Sequence, residues 1–191
     1  MESTYGDRDH DSPQDIDDKL SQVINDAVKA GGNVIIPTFA IERAQELLYH
    51  FSFLARAKRI PYIVTFLDSP MAVEITKVFE QSKNYFDKET LELFKAGQSP
   101  FEFPGLKLVE SVEGSKAINL IRGSTIIMAG SGMITGGRIK HHLVREITIR
   151  IHASFCGIPS GWDAGTADLR RRFSRPYSRT ILSGADKDRE C

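Results

Sequence analysis

The sequence predicts an α/β fold: an open, mainly parallel, Rossmann-like sheet with helices on both faces and an irregular C-terminal tail. Short apolar runs with the composition of buried strands alternate with segments whose apolar residues recur every three or four positions. Strands that alternate with helices favour parallel pairing, because parallel neighbours need a long crossover connection. Apolar residues make up 41% of the 191 residues, which is enough for the buried core of one domain.

The first part of the pattern comprises two helix–strand pairs. Residues 16–30 have apolar side chains at helical spacing and are followed by a glycine pair, which favours helix termination. The apolar run NVIIPTFA (33–40) predicts a short buried strand. Helical spacing returns in ERAQELLYHFSFLAR (42–56), and the β-branched and aromatic residues of YIVTFLD (62–68) predict the second strand.

The second part repeats this alternation. SPMAVEITKVFEQSKNYF (69–86) predicts a helix with Ser69 as its N-cap and Pro70 at its first position. The remaining predicted elements are a short helix KETLELFKAG (88–97), an edge strand LKLVES (106–111), a small helix GSKAINLIRG (114–123), a buried strand STIIMAG (124–130) and the glycine-rich segment with its helix, SGMITGGRIKHHL (131–143).

Composition excludes several classes of protein. Lysines and arginines number 25, as do aspartates and glutamates, so net charge indicates no polyanionic partner. No run approaches the roughly 20 apolar residues of a membrane span, and no signal peptide is evident, so we expect no membrane association and a cytoplasmic location. The two cysteines, Cys156 and Cys191, lie beyond the regular region, which therefore contains no disulfide or thiolate metal site.

Residues 144–191 differ from the rest of the chain. They contain nine basic and six acidic residues, eight of the basic ones being arginine, and they follow neither a helical nor a strand period. We expect an aberrant tail from residue 144, either disordered or the product of a frameshift. Read one base later with suitable synonymous codons, this segment can encode an apolar strand followed by a helix.

Polar or glycine-rich turns follow the three apolar strands. In an open parallel sheet such turns meet at one edge, where helix N-termini present backbone N–H groups to ligands. Each turn also has a plain structural interpretation: Ser69 as a helix cap and Arg43 as a solvated helix residue. The glycines at 130, 132 and 136 do not have the spacing of a dinucleotide-binding motif, which disfavours a nicotinamide enzyme.

The histidines predict no metal centre. His141 and His142 are adjacent on a predicted helix, so their side chains diverge by about 100° and do not readily chelate one ion together. The chain contains no HxHxDH motif. We therefore predict no metal ligands in this chain.

Four segments, in the order ESTYGDRDH, IIPTFAIERAQELL, FLDSPMA and MAGSGMITGGRIKHHL, resemble the β-CASP ribonucleases of the metallo-β-lactamase superfamily. These include bacterial and archaeal relatives of the cleavage and polyadenylation endonuclease subunit. The resemblance covers residues 1 to about 143. It implies a β-CASP domain that closes over RNA, inserted in a metallo-β-lactamase domain whose two zinc ions activate water for phosphodiester cleavage.

The resemblance also implies roles for individual residues. Glu2 matches the family's motif A acid and is the expected catalytic residue, whereas the family's zinc ligands have no counterparts here. We expect residues 1–15 to be a remnant of the metallo-β-lactamase domain strand and linker, and residues 16–143 to be the β-CASP domain. The expected phosphate-binding residues, at the strand-end turns, are Arg43, Ser69, Ser131, Gly132 and Arg138.

The resemblance implies three partners: RNA, the missing metallo-β-lactamase domain and, for the intact protein, a second copy in a homodimer. Zinc is the implied cofactor of the intact enzyme, and this chain alone is expected to bind none and to be inactive. The alternative is a non-catalytic RNA- or protein-binding α/β module that uses its arginine-rich tail as a binding arm.

Overall fold

The computed structural model describes residues 13–149 of the chain. Within this range four strands form one sheet: β1 (Val34–Pro37), β2 (Val64–Asp68), β3 (Leu106–Val109) and β4 (Thr125–Ala129). The strands lie in the order β1-β4-β2-β3, so β4 is inserted between the first two strands of the sequence. The three pairings are parallel, which confirms the predicted open parallel sheet.

Six α-helices accompany these strands in the described range. They are α1 (Pro13–Lys29), α2 (Arg43–Arg56), α3 (Pro70–Gln81), α4 (Lys88–Lys95), α5 (Val112–Ile118) and α6 (Arg138–Ile149). The third helix is shorter than the prediction of 69–86, because Ser82 leaves the helical region of backbone space and a 3₁₀ turn follows at Lys83–Tyr85.

Side-chain caps fix where three of the helices begin. The Ser69 hydroxyl accepts a hydrogen bond from the backbone N–H of Ala72 at 3.3 Å, which confirms the predicted N-cap of α3. Ser111 caps α5 in the same way through the N–H of Gly114 at 3.0 Å, so this helix begins two residues before the predicted position 114. Asp87 caps α4.

Helices cover both faces of the sheet, as predicted. Successive strand residues point to opposite faces, so each strand contributes to two separate apolar layers. The layer on one side joins strand residues such as Ile36 and Met128 to α1, α2 and α3. On the other side, Ile35 packs with Ile139 of α6, and Phe66 packs with residues of α5 and β4.

The strands differ in burial, and the two terminal strands of the described sheet, β1 and β3, differ most. All residues of β1 and β4 are buried, which is why both read as continuous apolar runs in the sequence. β3 lies at the edge, with Lys107 and Leu108 exposed, as the edge-strand prediction requires. A lysine on an edge strand disfavours pairing with another sheet.

Gly105, directly before β3, is fixed by a close backbone approach. It has a φ of 97°, and a Cβ there would lie 2.7 Å from the carbonyl oxygen of Ile63. Gly123 has the same φ, yet a Cβ there would meet no described atom within 4 Å. Alanine at either position incurs the cost of the left-handed backbone, about 1–2 kcal/mol, and only Gly105→Ala adds a clash.

We therefore expect Gly105→Ala to lower the free energy of unfolding by at least about 1 kcal/mol more than Gly123→Ala does. Urea denaturation of the two variants measures this difference. Equal losses would show that the chain between β2 and β3 can shift without cost, contrary to the observed geometry.

Two predictions on domain bounds fall partly outside the described residues. Residues 1–12 and 150–191 are not described, so the expected domain remnant and most of the expected tail are not tested. Helix α6 continues to Ile149, past the predicted boundary at 144. No helix of the described range is long and apolar enough to cross a membrane.

Candidate functional site

Three turns lie side by side at the carboxyl edge of the sheet because β4 separates β1 from β2. We call them the carboxyl-edge loops: residues 38–42 after β1, Ser69 after β2, and residues 130–137 after β4. A Cβ built on Gly130 would lie 3.9 Å from the carbonyl oxygen of Thr38 and 4.0 Å from the hydroxyl oxygen of Ser69. The three turns singled out in the sequence therefore form one continuous surface.

The loop at 130–137 is closed by its own backbone hydrogen bonds. The N–H of Ile134 donates to the carbonyl of Ser131 at 3.0 Å, and the N–H of Ile139 donates to that of Gly130 at 2.9 Å. Ile134 has a φ of 58°, an unfavourable value for a β-branched residue. Its side chain packs into the apolar layer that contains Ile35, and this burial stabilises the strained backbone.

The loop at 38–42 rests on a buried glutamine of α2. The side-chain amide of Gln45 donates to the carbonyl oxygen of Ala40 at 3.2 Å and to the Thr76 hydroxyl of α3 at 2.9 Å. Gln45 is 2% exposed, so these bonds form away from solvent. The first carboxyl-edge loop is thereby fixed to the helix that follows the second.

Gly132 of the third loop contacts the first loop directly. A Cβ on Gly132 would lie only 2.8 to 2.9 Å from three carbons of the Phe39 ring. The glycine is therefore required for close packing against the ring. The Phe39 side chain itself remains 55% exposed at this edge.

A buried carboxylate lies beneath the loops. Asp68, the last residue of β2, is fully buried and faces α5 and α6. Its Oδ1 accepts from the Arg138 guanidinium at 2.7 Å, while its Oδ2 accepts from the Ser115 hydroxyl at 2.5 Å and lies 2.7 Å from Nε2 of His142. A buried charge requires partners of this kind, since an unpaired one would be very costly. We call these four residues the Asp68 cluster.

The partners determine the ionisation of Asp68. Burial by itself raises the pKa of this carboxyl group, because desolvation disfavours the charged form. The hydrogen bonds from His142, Ser115 and Arg138 together outweigh burial and hold the pKa below its usual value. Asp68 is therefore a carboxylate at neutral pH.

Arg138 joins the ends of two strands to α6. Besides Asp68, its guanidinium donates to the backbone carbonyls of Val109 at 3.4 Å and Glu110 at 2.7 Å. The side chain is 22% exposed, so part of it reaches the surface directly after the glycine-rich loop. Three protein acceptors already surround the guanidinium, so a phosphate would compete with them for its N–H groups. The expected role of Arg138 as a phosphate ligand stays a prediction.

The two adjacent histidines occupy different environments. His142 is fully buried, and its second ring nitrogen, Nδ1, lies 3.0 Å from Oδ1 of Asn119. His141 is exposed on the same helix. The two side chains thus lie on different sides of α6, one in the interior and one at the surface. The sequence carried no signal that would link His142 to Asp68, because the two residues lie 74 positions apart.

The other predicted site residues are at or near the edge. Arg43, the first residue of α2, is half exposed and forms an ion pair with Glu46 at 2.7 Å. Such an exposed pair contributes little to stability. Another anion can therefore take the place of Glu46 beside Arg43. Ser131 lies in the third loop, with its hydroxyl 3.4 Å from that of Thr135. Glu2 lies outside the described residues.

Comparison with known proteins identifies the family of this domain. A family model described as Beta-Casp domain matches residues 44–149. The chain belongs to the Beta-Casp domain family. The matched residues of this β-CASP domain include the second and third carboxyl-edge loops and the whole Asp68 cluster. The resemblance to the β-CASP ribonucleases is thus confirmed.

Curated relatives of this β-CASP domain include nucleases. Ribonuclease TTHA0252 from Thermus thermophilus is 42% identical over 142 residues, which cover 74% of this chain and 32% of that protein. Transcription termination factor FttA from Methanosarcina mazei is 31% identical over 144 residues, covering 74% of this chain and 22% of that protein. Endoribonuclease YSH1 from Saccharomyces cerevisiae is 27% identical over 150 residues, covering 76% and 19%. The chain spans about a third or less of their lengths.

The β-CASP nucleases are metal-dependent enzymes, and the donor set described here does not fit a metal site. Among residues 13–149, no group of three or more histidine, cysteine, aspartate or glutamate side chains could hold a metal ion. Asp68 and His142 are close together, but Arg138 already neutralises the carboxylate. We therefore assign no metal-dependent step to the described part of this β-CASP domain.

Proposed function

We propose that this chain provides the RNA-binding β-CASP part of a metal-dependent ribonuclease. The observation that carries the proposal is the convergence of three strand-end loops at one edge of a parallel sheet, within a domain of the Beta-Casp family. Open parallel sheets bind ligands at this edge. Two of the relatives are named as a ribonuclease and an endoribonuclease, which supports RNA as the ligand.

The proposed phosphate contacts follow from the chemistry of the loops. Ser69 and Ser131 place hydroxyl groups at the edge, and Gly132, which packs against the Phe39 ring, is proposed to contribute through its backbone. Arg43 provides an exposed guanidinium that can exchange Glu46 for a phosphate. Arg138 contributes positive charge at the end of the loop while its contacts to Asp68 fix its position.

Hydrolysis is proposed to require a metallo-β-lactamase domain in addition to the described residues. The family relationship supports such a partner, and zinc is the metal we propose it carries. Glu2 is the residue proposed to act with that domain. Residues 13–149 then bind and orient the RNA. A homodimer of the intact protein and a cytoplasmic location remain further proposals.

The binding proposal predicts that single-stranded RNA binds to the described domain. We expect a chain ending at Ile149 to bind a labelled RNA oligonucleotide about as well as the full chain of 191 residues, measured by fluorescence anisotropy. Affinity should fall as salt rises, with a slope of about −0.7 in log–log form for each phosphate contact on a single strand.

Two outcomes of this experiment favour other functions. Loss of binding when residues 150–191 are removed would favour the alternative, a non-catalytic module that binds through its basic tail. The absence of a metal cluster among residues 13–149 is what keeps this alternative open. Zinc-dependent RNA hydrolysis by the full chain, abolished by a chelator, would contradict the need for a second domain.

A further inference from the structure

Phe39 lies in the first carboxyl-edge loop, and its side chain is exposed where the three loops meet. Thr38, directly before it, is 1% exposed, whereas the Phe39 side chain is 55% exposed. A single exposed apolar residue is common on protein surfaces and by itself indicates nothing. The position of this ring among the carboxyl-edge loops gives it significance.

The ring is supported from the third loop. Because the Phe39 ring lies directly against the backbone of Gly132, any side chain at position 132 would displace it. The loop beneath Phe39 is itself fixed by the buried amide of Gln45, which binds the carbonyl oxygen of Ala40. The ring is thus supported on one side and accessible on another, so a flat ligand could contact it without reorganising the loop.

Further apolar side chains are exposed in the same turns. Ile41 of the first loop is 60% exposed, Met71 in the first turn of α3 is 64% exposed, and Met133 of the third loop is 72% exposed. These side chains alternate along the chain with the candidate phosphate ligands Ser69 and Ser131. The edge therefore combines apolar contact area with groups that bind a phosphate backbone.

A single-stranded nucleic acid has this combination of features. Its bases present flat apolar faces, and its backbone presents phosphates at regular intervals. Proteins that bind single strands stack bases on aromatic side chains and contact the backbone with polar and basic groups. From the contact between Phe39 and Gly132 at the edge of the candidate phosphate loops, we infer that Phe39 is a stacking platform for an unpaired base of bound RNA.

This inference rests on the proposed RNA-binding function and adds a specific contact to it. Stacking on an aromatic ring is tolerant of sequence, because every base has a π face. The contact would therefore hold an unpaired strand at the edge of the sheet and select against a duplex, whose bases are already stacked. The phosphate contacts of the neighbouring loops would set the path of the backbone.

The test uses the full chain of 191 residues and a fluorescein-labelled oligo(A) of twelve nucleotides. We expect Phe39→Ala and Phe39→Leu each to weaken binding by about 5- to 150-fold, the range observed when a stacking aromatic side chain is removed. Phe39→Tyr should retain the affinity, because it preserves the ring. An abasic oligomer of the same length should bind the unsubstituted chain and Phe39→Ala equally, since it offers no base to stack.

Two glycines of the third loop provide a matched pair. Gly132→Ala should displace the Phe39 ring and weaken oligo(A) binding by a larger factor than it weakens binding of the abasic oligomer. Gly136→Ala should have no effect on either probe, because a Cβ there meets no described atom within 4 Å. Circular dichroism of each variant verifies that the fold is retained.

The possible failures are distinguishable. If the unsubstituted chain binds oligo(A) but Phe39→Leu binds it equally well, the stacking inference is wrong and the proposed function stands. Equal weakening of oligo(A) and abasic oligomer binding by Phe39→Ala would also overturn the inference, since it would indicate a structural or domain-packing role for the ring. If the unsubstituted chain binds neither probe, the proposed function and the inference both fail.

Discussion

Asp68→Asn is expected to lower the free energy of unfolding by about 3–5 kcal/mol, as found when one partner of a buried ion pair is removed. The asparagine amide cannot neutralise Arg138, and its NH₂ group would face donors that now bind the carboxylate. Chemical denaturation of the variant and the unsubstituted chain measures the effect. Asp26→Asn is a matched control, because Asp26 is 63% exposed and its nearest cation is 3.9 Å away.

The loss of stability caused by Asp68→Asn should depend on pH in a defined direction. Because the folded-state pKa of Asp68 is lowered, its carboxylate stabilises the fold fully above the unfolded pKa of about 3.9. That contribution is lost as the pH falls from there through the folded pKa. The difference in unfolding free energy between the unsubstituted chain and Asp68→Asn should therefore be constant near neutral pH and become smaller in acid. A difference that increased towards low pH would contradict the assigned ionisation.

A milder change tests the same cluster if Asp68→Asn does not fold. Ser115→Ala removes one hydrogen bond to Oδ2 and leaves the ion pair with Arg138 intact. We expect a loss of about 1.5–3 kcal/mol, which is the range for a hydrogen bond to a charged group. No loss at all would show that Asp68 is satisfied without the hydroxyl.

Phe51→Ala is expected to have a destabilising effect of similar size. Phe51 is fully buried on α2, and its ring contacts that of Phe103 edge to face at a centroid distance of 6.3 Å. Truncating a buried phenylalanine typically costs about 3–5 kcal/mol, because apolar contacts are lost and a cavity remains. Thermal or urea denaturation with a two-state analysis measures this loss.

Phe53, on the same helix, is the matched control for Phe51. It is 49% exposed, so Phe53→Ala should change the free energy of unfolding by less than about 1 kcal/mol. Equal effects at the two positions would mean that α2 is not oriented as described. The orientation matters for function, because Gln45 of the same helix supports the first carboxyl-edge loop.

The Asp68 cluster and the carboxyl-edge loops are structurally connected. Arg138 follows the third loop directly, and its guanidinium binds the ends of β2 and β3. His142, one turn later in α6, contacts the same carboxylate. The cluster therefore fixes the end of the loop that contains Ser131 and Gly132. We interpret its role as positioning, since its charged groups already have protein partners.

Helix and strand positions could be predicted from the sequence because they depend on neighbouring residues. The helical spacing at 42–56 and the β-branched run at 62–68 are local patterns, and both elements are present in the structure. The N-cap at Ser69 was predictable for the same reason, since a cap involves residues within one turn. The errors lie at the ends of helices and strands, where single hydrogen bonds decide whether the element continues.

The sequence by itself determined the α/β alternation, the edge strand β3 and the three turns that follow the apolar strands. Only the tertiary structure decided that β4 lies between β1 and β2, which places these turns together. It also decided the contact of Phe39 with Gly132 and the pairing of Asp68 with Arg138, 70 residues later. The physical reason is range: periodicity and capping act within a few residues, whereas buried charges and ring contacts depend on how distant segments meet.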